Sequence, residues 1–273
     1  MKKKLFNIML ILVFVLGLMI LLYPTISNYI NSFTQSRAIQ TYNEQAHLDN
    51  LAHNQEILDQ AKQYNQKLRE KGSLSSLADE EMPTYLSTLN PNDDGIMGYI
   101  EIPKIDVNLT IAHTVEEDVL QRMVGHLPGT SLPIEGEGVH SILSAHRGLP
   151  SARLFTELAE LEVGDAFTIH VLNRAWGYTV DDIKVILPEE VESLVIDRDK
   201  NYVTLMTCTP YGVNSHRLLV RGALQGEVIQ EAETAEEAIQ PIYIRYKQEL
   251  IFGVAGVLLL LFIVLLIKQK GRR

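Results

Sequence analysis

The chain contains a single cysteine, Cys208, which ends a strand-like run and is followed by an arginine at hairpin spacing. Residues 202–222 read as a strand closing at Cys208, a turn through Pro210, Gly212 and Asn214, and a returning strand that starts near Arg217. If Cys208 lies opposite Arg217 in an antiparallel pair, then Met206 faces Leu219 and Thr204 faces Arg221. Directly opposed residues share a face. A slip of one residue would put the thiol and the guanidinium on opposite faces. In the paired register the cation favours the thiolate, the nucleophilic form of cysteine, and its N–H groups can hold an oxyanion. The chemistry that follows is covalent: sulfur attacks an acyl carbon, and a second nucleophile releases the product.

Such a reaction needs a proton carrier, and the chain has eight histidines. His47 and His53 lie in a polar, helix-favouring stretch. His113 and His170 sit in strand-like contexts, where a packed histidine is the default. His126, His140 and His146 are each compatible with a site. His216 adjoins Arg217 but points to the other face of its strand. The residues by themselves leave this choice open. They also leave the bland readings of a lone thiol, buried and inert or cross-linked between molecules.

The elements that must position these groups are mostly short strands. Apolar or alternating runs at 97–102, 107–111, 140–144, 166–171, 177–185, 201–207 and 216–221 are rich in Val, Ile, Thr and Tyr and broken by turn residues. Several short strands at this spacing predict an all-β barrel or sandwich. Small helices are expected at 115–123 and 151–161. Residues 24–71 predict a partly exposed helical stalk with a weak apolar stripe through Ile39, Tyr42, Leu58, Ala61 and Leu68. Residues 72–95 are punctuated by Pro and Gly and predict a loop. Its Asn92-Asp93-Asp94 cluster lacks the spaced ligands and terminal Glu of a calcium loop, so a turn is expected there and no metal. Residues 223–249 read as an acidic connector.

Both ends of the chain suit a membrane. Residues 5–23 and 250–267 carry no charge, and each matches the roughly 20 apolar residues that cross a bilayer. The first run is longer than the apolar part of a cleavable signal and has no small-residue cleavage site after it. The tips, residues 1–4 and 268–273, are basic, which places both termini in the cytoplasm and the intervening residues outside. The tips supply +7 of a formal net charge of −10, so the rest of the chain carries −17. An acidic body argues against a nucleic-acid partner, which needs a basic face.

Thr204-Leu205-Met206-Thr207-Cys208 followed by Arg217 on the next strand resembles the signature of the sortase family. The continuation through Thr209-Pro210-Tyr211-Gly212-Val213-Asn214-Ser215-His216 is similar to the class C, pilus-assembling branch. So is Ser144-Ala145-His146-Arg147-Gly148-Leu149-Pro150, and Gly125-His126-Leu127-Pro128-Gly129-Thr130-Ser131-Leu132-Pro133 is similar to a third segment of the family. The resemblance covers residues from about 96 to 222 and suits a span at each end. It implies a mainly β, closed sortase-type barrel over 96–222 with short peripheral helices. It selects His146 as general acid/base beside the nucleophile Cys208, with Arg217 holding substrate and oxyanion. It implies no cofactor. The implied reaction cleaves an LPxTG-like signal between Thr and Gly through a thioester. The acyl group then passes to an amine, a pilin lysine in class C or a cell-wall peptide in an anchoring sortase. The implied partners are pilin or surface proteins bearing such signals, at a Gram-positive surface.

One departure concerns the lid. Class C members commonly carry an Asp-Pro-aromatic tripeptide that plugs the site, and none occurs here, so 72–95 is at most an altered lid. Leu127-Pro128-Gly129-Thr130 looks like a sorting signal itself, but its place within the domain predicts a structural turn. A non-catalytic membrane protein with a partner-binding β-domain is the alternative from another class, and it predicts an inert Cys208. A papain-like protease fits poorly, because no glutamine-bearing oxyanion segment precedes the cysteine.

Overall fold

The computed structural model describes residues 2–48, 51–71, 77–190 and 194–228. Two compact units divide the chain, the first containing residues 1–33 and 233–273 and the second 34–232.

Helix α1 (Lys2–Leu48) runs through both units. In the first unit many of its apolar side chains are exposed, among them Leu5, Leu12, Ile20 and Ile30. It is the one helix among the described residues that is long and apolar enough to cross a membrane, with a mean hydropathy of 3.0 over its most apolar window. The second spanning helix, expected at 250–267, lies outside the described residues.

The second unit is a closed eight-stranded barrel in the order β1-β2-β3-β4-β7-β8-β6-β5. Its strands are β1 (Ile96–Ile102), β2 (Val107–His113), β3 (Val124–His126), β4 (Val139–Ser144), β5 (Ala166–Val171), β6 (Arg174–Ile186), β7 (Asn201–Thr209) and β8 (His216–Glu227). Closure leaves no open sheet edge. Two neighbouring pairs are parallel, β2 with β3 and β4 with β7, and the rest are antiparallel. Branched and aromatic residues fill the interior, including Ile100, Ile111, Leu143, Phe167, Trp176, Val203, Leu205 and Val220. Strand β8 continues through Glu227 and pairs with β6 as far as Trp176, so 223–227 belongs to the barrel and not to a connector.

The expected stalk is corrected too. The end of α1 and helix α2 (Leu51–Lys71) pack on the barrel. Tyr42, Ala46, Leu58, Ala61 and Leu68 are buried. The Tyr42 hydroxyl donates to the Met97 carbonyl at 2.9 Å and accepts from the Leu172 amide at 2.8 Å. Asn65 is buried and works as a strand would: its Nδ2 donates to the Leu132 carbonyl, and its Oδ1 accepts from the Leu132 amide. A buried amide that satisfies backbone groups looks polar in a sequence, which is why the apolar stripe read as weak.

Residues 82–87, expected as loop, form helix α3 (Met82–Ser87). The expected helix at 115–123 is cut to α4 (Glu117–Leu120). That at 151–161 is a run of turns with one 3-10 turn, Leu158–Glu160. Leu154 takes a left-handed backbone conformation at φ 43°, which an α-helix does not tolerate.

Candidate active site

The β7–β8 hairpin adopts the register expected from the sequence. Cys208 pairs with Arg217, Met206 with Leu219 and Thr204 with Arg221. Val203, Leu205 and Thr207 are buried on the core face, so by alternation Met206 and Cys208 occupy the outer face. Cys208 is half-buried and forms no disulfide. Arg217 begins β8, and its Nη1 donates to the carbonyls of Asn214 and His216 at 3.4 and 3.2 Å. These bonds fold the guanidinium over the turn that carries it. Asn214 supplies the turn's left-handed residue, at φ 59°.

The parallel pairing of β4 with β7 brings in the third group. Ile142 lies beside Thr204 and Ser144 beside Met206. The Ala145 amide extends the ladder by bonding the Met206 carbonyl at 3.2 Å. His146 follows Ala145, two residues past the Ser144–Met206 pair, and Cys208 lies two residues past Met206 on β7. The turn is fixed there on both sides. Thr207 Oγ1 donates to the Ala145 carbonyl at 2.8 Å, and the Phe155 amide donates to the His146 carbonyl at 3.2 Å. Arg147 Nη1 donates to Thr209 Oγ1 at 3.3 Å. The Tyr211 ring lies so close over Gly148 that a Cβ there would come within 2.6 Å of it.

The other histidines are accounted for differently. His47 and His53 are exposed on α1 and α2. Both ring nitrogens of His113 face backbone carbonyls, those of Gly95 and Thr88. His170 stacks on Tyr99 with centroids 4.2 Å apart and meets Glu101. His140 is buried between the Val195 carbonyl and the Thr204 hydroxyl, and burial lowers its affinity for a proton. His126 is buried between Tyr85, Thr130 and the Ser131 carbonyl, and burial holds it down to about 4. His216 is half-buried, bonded to Ser215, and on the strand face opposite Arg217. His146 is the histidine that follows the end of β4, the parallel neighbour of the strand carrying Cys208.

Two features of the site had no clear sequence signal. One is an apolar patch of Ile142, Leu194 and Leu219, joined by Leu127, Ile186 and Met206, on the face that carries Cys208. Leu194 reaches it from the β6–β7 connection, where composition alone suggests only a polar loop. The other is Glu117 of α4, whose Oε2 lies 3.4 Å from His146 Nε2. Tyr85 of α3, within the 72–95 segment, is fully buried and bonded to His126 and Thr114.

The barrel matches the crystal structure of sortase C1 from Streptococcus agalactiae with 45% identity and a TM-score of 0.67, covering 71% of this chain and 100% of that one. The chain belongs to the sortase family. The family's sortase-domain model matches residues 100–225. Sortase C1 of GBS Pilus Island 1 is 37% identical with a TM-score of 0.65, over 74% of this chain and 97% of that chain. Among curated proteins, a sortase A of Bacillus anthracis is 26% identical over 227 residues, which is 82% of this chain and 97% of the relative. The protein is a sortase-type cysteine transpeptidase, and its structural relatives place it in class C.

Proposed function

We propose that Cys208, His146 and Arg217 are the catalytic residues and that the enzyme joins pilin subunits. The Cys208 thiolate attacks the Thr carbonyl of an LPxTG-like signal, Arg217 holds the substrate and the oxyanion, and His146 protonates the departing glycine amine. A pilin lysine then takes the acyl group from sulfur. The observation that carries this reading is the pairing of Cys208 with Arg217 across the β7–β8 turn, with His146 following the end of β4, the parallel neighbour of β7. The apolar patch beside Cys208 supports a substrate whose first residues are Leu and Pro. The relative named for a pilus island supports the pilin acceptor. The exposed apolar part of α1 supports a membrane anchor, and the basic tips support two spans with both termini inside.

The test is intact-mass analysis of the full chain in detergent with an LPxTG-type peptide. Wild type gains the mass of the acyl fragment, and hydroxylamine removes it. Cys208→Ala gains nothing. A lysine-bearing pilin segment, compared with a cell-wall-type peptide amine, then shows which acceptor clears the thioester faster. Persistence of the adduct in Cys208→Ala would overturn the assignment of the nucleophile. Preference for the cell-wall amine would overturn the pilin reading.

A further inference from the structure

Glu117 sits where α4 begins, and its two carboxylate oxygens are divided between two partners. Oε1 accepts from Gln121 Nε2 at 3.0 Å, one helical turn on, and Oε2 faces His146 Nε2 at 3.4 Å. The side chains are 68% and 27% exposed, so this is a pair at the rim of the site and not a buried ion pair. The segment carrying Glu117 is pinned at both ends by buried groups. Upstream, the Thr114 amide donates to the Tyr85 hydroxyl at 3.1 Å. Downstream, the Arg122 carbonyl accepts from Gln35 Nε2 at 2.9 Å, and Gln35 in turn binds Thr110 of β2. Packing of the N-terminal helices on the barrel thus fixes where the carboxylate stands.

A carboxylate is an acceptor only. Glu117 is held below the usual carboxylate range, first by the Gln121 bond and then by the charge of His146, so it is ionised at neutral pH. The imidazole nitrogen facing it, Nε2, must therefore carry a hydrogen. In a ring with one nitrogen committed, the other does the proton work, and the partner of the committed nitrogen sets the tautomer.

We infer that Glu117 is a positioning residue that holds the His146 Nε2–H, so that Nδ1 carries the proton of the reaction. The inference rests on the catalytic role proposed for His146. The Cys208 thiol proton passes to Nδ1. The thiolate forms the S–C bond to the Thr carbonyl carbon. As the C–N bond to glycine breaks, the Nδ1 proton goes to the leaving nitrogen, and the glycine amine departs neutral. In the second half the incoming ammonium first loses one proton to water; the neutral amine nitrogen then bonds the acyl carbon, gives its second proton to Nδ1, and the S–C bond breaks to regenerate the thiolate. The Nε2 hydrogen stays on Glu117 throughout.

This role has a signature that a merely structural carboxylate lacks. Cleaving an amide needs proton delivery to nitrogen, whereas an ester leaving group needs far less. The experiment measures single-turnover acylation of Cys208 in the full chain in detergent, with an LPxTG-type peptide and with its ester analogue at the Thr–Gly link. Glu117→Ala is expected to slow amide acylation about 10-fold, a fraction of the ~10²–10⁴-fold available to acid–base catalysis. KM should not change, and the ester rate should change less than about 2-fold. Glu117→Gln keeps an acceptor oxygen and is expected to recover most of the loss. Gln121→Ala, which frees one carboxylate oxygen, gives a smaller loss with the same amide bias and serves if Glu117→Ala does not fold. Equal losses on amide and ester, or no loss on the amide, would overturn the inference. His146→Ala run in parallel separates the two levels. If amide acylation survives that change, the role given to His146 fails. If it is abolished there and untouched in Glu117→Ala, the role given to Glu117 alone fails.

Discussion

His126 and His146 belong to neighbouring strands, one at the end of β3 and the other just past the end of β4, yet their surroundings differ in kind. His126 is sealed in. Its Nε2 meets the Ser131 carbonyl at 2.8 Å, its Nδ1 meets the Tyr85 hydroxyl at 2.9 Å, and no water-exposed surface remains. A carbonyl accepts only, so Nε2 carries the hydrogen and Nδ1 accepts from tyrosine. This ring is neutral, saturated and inert. His146 stands past the end of β4 with a carboxylate partner and a partly exposed ring. Every hydrogen bond that satisfies a buried histidine removes it from proton transfer. The histidine proposed for catalysis is thus the one left partly exposed, and the sealed one is not.

The contrast is broken most sharply by exchanging the two losses. His146→Ala is expected to reduce acylation by about 10²–10⁴-fold while leaving the thermal unfolding midpoint nearly unchanged. His126→Ala is expected to do the reverse. It removes the ring acceptor of the Tyr85 hydroxyl, orphans the Ser131 carbonyl, leaves a cavity and costs roughly 3 kcal/mol, while folded molecules keep their rate. Calorimetry and single-turnover assays on both variants decide it. A stability loss in His146→Ala matching that of His126→Ala would erase the distinction.

Acid sharpens the same contrast. His126 is held at about 4 by burial, against 6.5 when free. Between these values the unfolded chain binds a proton that the folded chain refuses, so stability falls as pH drops through this window. The contribution is complete above 6.5, and up to about 3 kcal/mol is lost by pH 4. Burial lowers His140 too, and it acts in the same direction. Unfolding midpoints measured from pH 7 to 4 should decline, and His126→Gln should flatten part of that slope. A flat profile in wild type would contradict a neutral, buried His126.

A smaller effect is expected at Tyr85, whose hydroxyl takes the Thr114 amide and gives its proton to His126. Tyr85→Phe leaves both without their partner and should cost about 1–3 kcal/mol. Because Thr114 anchors the segment leading to Glu117, its residual effect on catalysis should fall on the amide substrate and spare the ester.

The fold was legible wherever the information was local. Alternation placed the strands at 140–144, 166–171 and 201–207 almost at their observed limits. The turn through Pro210, Gly212 and Asn214 fixed the pairing of Cys208 with Arg217, because a short hairpin leaves few registers open. The helices around the barrel were less legible. Residues 151–161 have helical composition, but Leu154 is held left-handed and Phe155 is drawn to the His146 carbonyl, so contacts outweigh propensity. The stalk misled for a similar reason, since Asn54 and Asn65 read as polar surface and are buried.

Composition and pattern by themselves determined a charge-free N-terminal helix, a β-rich acidic body, and a lone thiol facing an arginine. The residues alone left eight histidines open and the family resemblance selected His146, but the place of that residue past the end of β4 belonged to the tertiary structure. It depends on parallel pairing between β4 and β7, whose contacting residues Ala145 and Thr207 are 62 apart in sequence. No turn encodes that register, and only closure of the barrel sets it. Glu117 beside His146 has the same origin: its place follows from buried hydrogen bonds made by Gln35 and Tyr85, on helices that a reading of local pattern had left in solvent and in a loop.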